Sequence, residues 1–220
     1  MPLNESKGNM YPWVTHTWNT VKGECPHGCT YCYMKRYGKQ RPVRFDEKEL
    51  NSDLGSGNFI FVGSSCDLFA RSIPNKWITD TLNLCESYRM NTYLFQTKNP
   101  EGFKDFEIHI PMNSRLCTTI ETNRYYPQMG NTPHPSMRSE DMHDLEGWQK
   151  YVTIEPIMDF DLDEMVNIIR WCNPVQVNIG ADSGGNNLPE PSKDKLLVLI
   201  DALQEFTTIA RKTNLARLLK

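Results

Sequence analysis

Three cysteines, Cys25, Cys29 and Cys32, stand within eight positions of one another in the stretch ECPHGCTYCYM. Thiolates this closely set are candidate metal ligands, because a single loop can turn all of them toward one centre. A structural zinc site closes its tetrahedron with four ligands. The nearest completing candidates are His27, inside the cluster, and His16, before it, and the chain has no second C-x2-C pair. A four-iron cluster instead takes one ligand per iron, so three cysteines leave one iron open to a substrate or cofactor. The other four cysteines, Cys66, Cys85, Cys117 and Cys172, stand singly in apolar segments and read as small buried hydrophobes. An odd total of seven in a chain with no export signal argues against a disulfide framework.

A second set of polar residues lies just beyond runs rich in β-branched and aromatic side chains. The runs predict strands over Trp13–Trp18, Asn58–Val62, Thr92–Gln96, Arg115–Ile120, Tyr151–Glu155 and Val175–Ile179. Stretches of helical period separate the later runs. One is opened by Pro74, one begins at Asp161, and one follows Ser192 as its N-cap. Such alternation implies parallel strands with crossover helices, an open barrel or a doubly wound sheet, with chemistry at the strand C-termini. The residues there include Asn19, Gly63, Ser64, Ser65, Asp67, Lys98, Glu121, Asn123, Glu155 and Asp182. Each of them could equally serve as a turn or cap residue. The segment 124–147, rich in Pro, Met and His, is the least regular and reads as a lid or substrate loop in one domain spanning 1–220.

A net charge of −3 and a pI near 6.0 exclude a uniformly basic nucleic-acid-binding domain. The run MKRYGKQRPVR, residues 34–44, is nevertheless locally basic. Aromatic and basic groups together suit single-stranded nucleic acid, and a solvated charged face accounts for the run as well. No apolar run approaches the ~20 residues of a membrane span, and the polar start lacks a signal-peptide centre. A cytoplasmic protein without membrane contact is expected.

The pattern C-x3-C-x2-C, with Tyr31 before the last cysteine and a loop placed after the first strand of a repeated βα unit, resembles the radical S-adenosylmethionine (SAM) superfamily. Further segments are similar to its phage Gp37/Gp68-like branch: FVGSSCDLFARSIP, FQTKNPEGF, TTIETN, VTIEPIMDF and VNIGADSGG. The last reads GADSG where that branch's pattern would read GGESG, so Asp182 keeps the charge on a shorter side chain.

The resemblance implies an α/β fold, a partial (βα)6 barrel of the radical SAM type. It implies a 4Fe-4S cluster held by Cys25, Cys29 and Cys32, with SAM chelated to the remaining iron. Reduction by one electron would cleave SAM to a 5′-deoxyadenosyl radical that abstracts hydrogen from the substrate. Tyr31 would pack near the adenine and Gly63, Ser64 and Ser65 would meet the methionine amino group. Asp67 would add charge complementarity there. Lys98 would answer the carboxylate, and Glu121 or Asn123 the ribose hydroxyls. Glu155 and Asp182 would lie toward the substrate, for which a nucleobase or nucleoside is the candidate. Cys66 is the candidate hydrogen-atom donor that ends the reaction, with Cys117 second to it. A one-electron reductant such as flavodoxin or ferredoxin is the implied partner. The rival reading is a zinc-stabilised nucleic-acid-binding module without catalysis, which leaves the polar strand ends without a purpose.

Overall fold

A computed structural model describes residues 3–220 of the chain. Its main sheet has eight strands, and seven of them are parallel and adjacent in chain order. A two-residue strand β1 (Asn4–Glu5) pairs antiparallel with the first of the seven, β2 (His16–Trp18). The long loop after β2 contains a small hairpin, β3 (Val21–Lys22) with β4 (Arg44–Phe45). The sheet then continues through β5 (Phe59–Val62), β6 (Thr92–Thr97), β7 (Ser114–Thr119), β8 (Gln149–Ile154), β9 (Gln176–Ile179) and β10 (Thr208–Arg211). The crossovers carry α1 (Asn75–Ser87), α2 (Glu101–Asp105), α3 (Pro135–His143), α4 (Leu162–Cys172) and α5 (Lys193–Gln204). The fold is α/β with an open, mostly parallel sheet, the partial-barrel architecture expected, carrying one parallel strand more than the six anticipated.

Period-two alternation along the strands separates two faces. Ile60, Val62, Tyr93, Phe95, Leu116, Val152, Ile154, Val177 and Ile179 pack with the apolar stripes of the helices, including Leu82, Ile169 and Leu199, in the main core. The intervening residues face the other way. Phe61, Leu94 and Cys117 join Tyr11 and Val14 in a second, smaller cluster. Beside it run polar contacts, Gln96 to Thr119 (3.0 Å) and Gln176 to Asn178 (2.7 Å). The helix-free face of the sheet is thus partly polar, as suits a face that holds a ligand rather than a core.

Trp13 was expected in the first strand. Instead it stacks on Tyr11 with centroids 4.9 Å apart, and β2 starts at His16. The Tyr11 hydroxyl is within hydrogen-bond distance of Gln96 (2.8 Å) and Thr153 (2.7 Å), so this segment crosses the helix-free face instead of extending the sheet. Segment 124–147 is more ordered than its composition suggests. It holds a 3-10 turn, Pro127–Met129, and then α3, with Pro135 at the helix start where its missing N–H costs nothing. Among the described residues no helix is long and apolar enough to cross a membrane.

Candidate functional site

The loop that follows β2 brings the three cysteines to the C-terminal edge of the sheet. Cys29 is buried and Cys25 and Cys32 are half-buried, all as free thiols. Burial, and to a lesser degree a charge on Cys25, acts on both Cys29 and Cys32. Cys25 itself is pulled below its ordinary value, chiefly by a hydrogen bond with Cys66 and further by His27, against the effect of burial. Burial pushes Cys29 and Cys32 up. Among the described residues no three Cys, His, Asp or Glu side chains are drawn in tightly enough to hold one ion. A single zinc gathers its sulfurs within ~2.3 Å of a point, whereas each cysteine of an iron-sulfur cluster binds a different iron. Three free cysteines spread along one loop could each take a different iron.

Two buried charge networks hold this loop in place. In the first, His27 Nε2 meets Asp67 Oδ2 at 2.7 Å. The same carboxylate accepts from Thr97 Oγ1 (2.9 Å), the Lys98 N–H (2.8 Å) and the Phe69 N–H (3.0 Å). Burial opposes both charges, yet the pairing outweighs it, raising His27 and lowering Asp67 from their ordinary pKa values. Asp67 therefore pins the middle of the cysteine loop to the ends of β5 and β6, and both of its oxygens accept within the protein.

Glu121 is the centre of the second network. It is wholly buried beyond β7 and accepts from the Tyr31 hydroxyl, Lys98 Nζ and Arg138 Nη1, the last at 2.7 Å. Burial raises the Glu121 pKa most of all single causes, but Arg138 and Lys98 together bring it down to about 2. Lys98 Nζ also lies 5.2 Å from the centre of the Tyr31 ring. Arg138, with no exposed surface, donates further to the carbonyls of Thr119 and Pro133 (2.7 Å each) and to Thr132 Oγ1 (2.6 Å). The arginine belongs to α3, so segment 124–147 is tied to the same carboxylate as the cysteine loop.

Direct contacts reinforce that tie. The Asn131 N–H donates to the His27 carbonyl (2.7 Å), the Thr30 N–H to Gln128 (2.9 Å), and the Cys29 thiol to Met129 (3.2 Å). Cys29, Tyr31, Met129, Met158 and Leu188 form an apolar cluster around the thiols. Gly130 has φ +68° and faces the His27 carbonyl so closely that a Cβ would overlap it; only glycine fits that approach.

The remaining expected residues are placed as follows. Gly63, with φ +78°, turns the chain out of β5. Asn19 holds the next turn by accepting from Ser64 Oγ (3.2 Å) and the Ser65 N–H (2.8 Å). Cys66 is buried against Cys25, which pushes its thiol pKa up; it stands with the clustered thiols, while Cys117 lies on the helix-free face, 3.4 Å from Thr153 Oγ1. Asn123 is engaged by α4, accepting from the Asp161 N–H (2.8 Å) and donating to Glu164 (2.6 Å). Glu155 is bound by Lys212, Asn9 (2.8 Å) and Asn214 (2.7 Å), against Gly180. Asp182 accepts from the Gly184 N–H (2.9 Å) and the Asn186 side chain (2.6 Å), closing its own loop. Sequence reasoning missed Arg138 and Lys212. The first has no local signal. The second follows the short TTIAR run, whose β-branched residues come at the expected interval after α5.

Solved structures of spore photoproduct lyase have a similar fold. A cysteine-to-serine variant matches with TM-score 0.64 and 13% identity, over 93% of this chain and 64% of that one. A form with bound AdoMet and dinucleoside spore photoproduct matches at 0.62 and 12%, over 90% and 64%. A tyrosine-to-phenylalanine variant matches at 0.67 and 10%, over 96% and 80%. The likeness is one of fold, and this chain spans 64% of the length of the first two. No curated protein matches the sequence. One family model, described as a protein of unknown function (DUF5131), matches residues 9–193 and so takes in the cysteine loop, Glu121 and Asp182 alike; the chain belongs to that family.

Proposed function

We propose that the protein is a radical SAM enzyme of the phage Gp37/Gp68-like branch, acting on a nucleobase or nucleoside. The observation that carries this reading is the position of the C-x3-C-x2-C loop, with its three neighbouring free thiols, at the C-terminal edge of the first parallel strand of an open barrel. The fold shared with spore photoproduct lyase, a radical SAM enzyme with an AdoMet-bound form, supports it. When bound, a 4Fe-4S cluster and SAM supply a 5′-deoxyadenosyl radical after one-electron reduction, and the protein positions and shields that chemistry.

In this reading Cys25, Cys29 and Cys32 hold the cluster. The His27–Asp67 pair fixes the loop that presents them, and the apolar cluster of Met129, Met158 and Leu188 keeps water from the sulfurs. Tyr31 offers its ring to the adenine while its hydroxyl is held by Glu121. Lys98, held by the buried Glu121, faces the cofactor's carboxylate, and Gly63, Ser64 and Ser65 its amino group. Glu155 and Asp182 lie toward the substrate, and flavodoxin or ferredoxin delivers the electron. Anaerobically reconstituted protein should carry about four irons and four sulfides per chain. It should form 5′-deoxyadenosine from SAM with dithionite, and Cys29→Ala should form none. One zinc per chain without sulfide, or a Cys29→Ala protein that still makes the nucleoside, sinks the proposal; the zinc result would favour the noncatalytic module.

A further inference from the structure

Many cations of this protein are neutralised where they stand. Lys76 pairs with Asp80, Arg89 with Glu86, Lys104 with Asp141 and Asp144, and Arg124 with Asp159 and Asp161. Residues 35–44 break the pattern. Lys35, Arg36, Lys39, Arg41 and Arg44 are exposed, and among the described residues none of the five has a carboxylate within ion-pair distance. Like charges crowded on one loop repel, and an external anion relieves that repulsion.

Lys39, Arg41 and Arg44 line a surface cleft of about 380 Å³ together with Tyr37, Asn19 and Ser65. The Ser65 N–H donates to Asn19 Oδ1 (2.8 Å) beyond the end of β5, so the cleft adjoins these candidate site residues. Beside it Tyr33 and Tyr37 are 44% and 65% exposed. The Arg36 guanidinium sits 5.5 Å and 5.0 Å from their ring centres, and the Tyr33 hydroxyl donates to the Ser64 carbonyl (2.9 Å).

We infer that this cleft binds the sugar-phosphate backbone of a single-stranded nucleic acid, so that the substrate is a nucleotide within a strand. The inference deepens the proposed function and rests on it for the identity of the reacting group, though not for the binding itself. Five cations spread over ten positions match several phosphates, whereas a free nucleotide carries its phosphates at one point. Exposed tyrosine rings backed by an arginine offer stacking to unpaired bases, which a duplex withholds. A base that must reach a recessed site leaves its stack in any case.

The test is fluorescence anisotropy of the full chain with a labelled single-stranded DNA of ~20 nucleotides and with the matching duplex, over a series of salt concentrations. The single strand should bind more tightly than the duplex. The triple variant Lys39→Gln/Arg41→Gln/Arg44→Gln should weaken binding at least ~10-fold and flatten the plot of log K against log salt by about 2, at ~0.7 per lost phosphate contact. Tyr37→Ala should weaken the single strand and leave the duplex unchanged. A control of equal charge, Lys76→Gln/Arg170→Gln/Lys193→Gln, should bind as the native chain does. Absence of binding, a slope unmoved by the triple variant, or equal loss in the control overturns the inference. Equal affinity for heparin that the tyrosine substitution does not touch assigns a general polyanion surface and overturns it too. Binding does not need the cluster, so protein prepared without iron should retain it. Failure here and failure of 5′-deoxyadenosine formation are therefore separate results.

Discussion

Replacing Arg138 with methionine removes one partner of a fully buried ion pair and leaves Glu121 in the protein interior with Tyr31 and Lys98 alone. Breaking such a pair costs roughly 3–5 kcal/mol, and Lys98 keeps the loss near the lower end. The titration of Glu121 gives a matching magnitude. Its carboxyl is held at about 2 against ~4.3 in an unfolded chain, a difference of roughly two units at ~1.4 kcal/mol each, or about 3 kcal/mol. Because the folded pKa is the lower one, this stabilisation is fully present above pH ~4.3 and is lost as the pH falls through about 2. Urea unfolding of Arg138→Met, followed by circular dichroism, should therefore show a loss of about 3 kcal/mol at pH 7. The melting temperature should drop by ~6–12 °C in a chain of this size. The gap from the native chain should narrow as the pH falls from ~4.3 toward about 2, since the native chain surrenders what the variant already lacks. Glu121→Gln/Arg138→Met should be more stable than the single variant, because no uncompensated charge remains. A loss below ~1 kcal/mol, or a gap that does not change with pH, would refute the reasoning.

Two further outcomes are expected. Gly130→Ala forces a side chain onto the His27 carbonyl at a left-handed φ; it should lower the iron bound per chain after reconstitution and destabilise the fold by at least ~1–2 kcal/mol, and unchanged iron content would contradict the packing described. Asn123→Ala removes the partner of the Asp161 N–H and should cost about 1–2 kcal/mol while leaving SAM affinity by calorimetry unchanged; a weakened SAM affinity at full stability would instead assign Asn123 to the cofactor.

Elements whose stability is written locally were legible in the sequence. FIFV and TYLFQ are buried on both faces and read as apolar runs, and Ser192 caps α5 by accepting from the Lys195 N–H, as its position implied. The last strand, Thr208–Arg211, lies at the sheet edge with exposed ends, so its run is short and mixed and gives little pattern to read. Segment 124–147 read as irregular because prolines punctuate it, but what orders it is Arg138, whose partner Glu121 lies 17 positions away on another element. The same distance effect hid the internal duties of Asp67 and Asn123. A polar residue at a strand end looks alike in sequence whether it faces a ligand or a neighbouring loop. The cysteine spacing is the more specific signal, because closely set thiols on one loop are candidate metal ligands.

The carboxylate shared by Tyr31, Lys98 and Arg138 has a mechanical consequence. Any of the three donors that swings aside leaves the charge less compensated in a dry interior. The ligand loop and the helix-bearing segment opposite it are thus interlocked, like two leaves of a door on one latch. Displacing either leaf therefore costs the other part of its charge compensation.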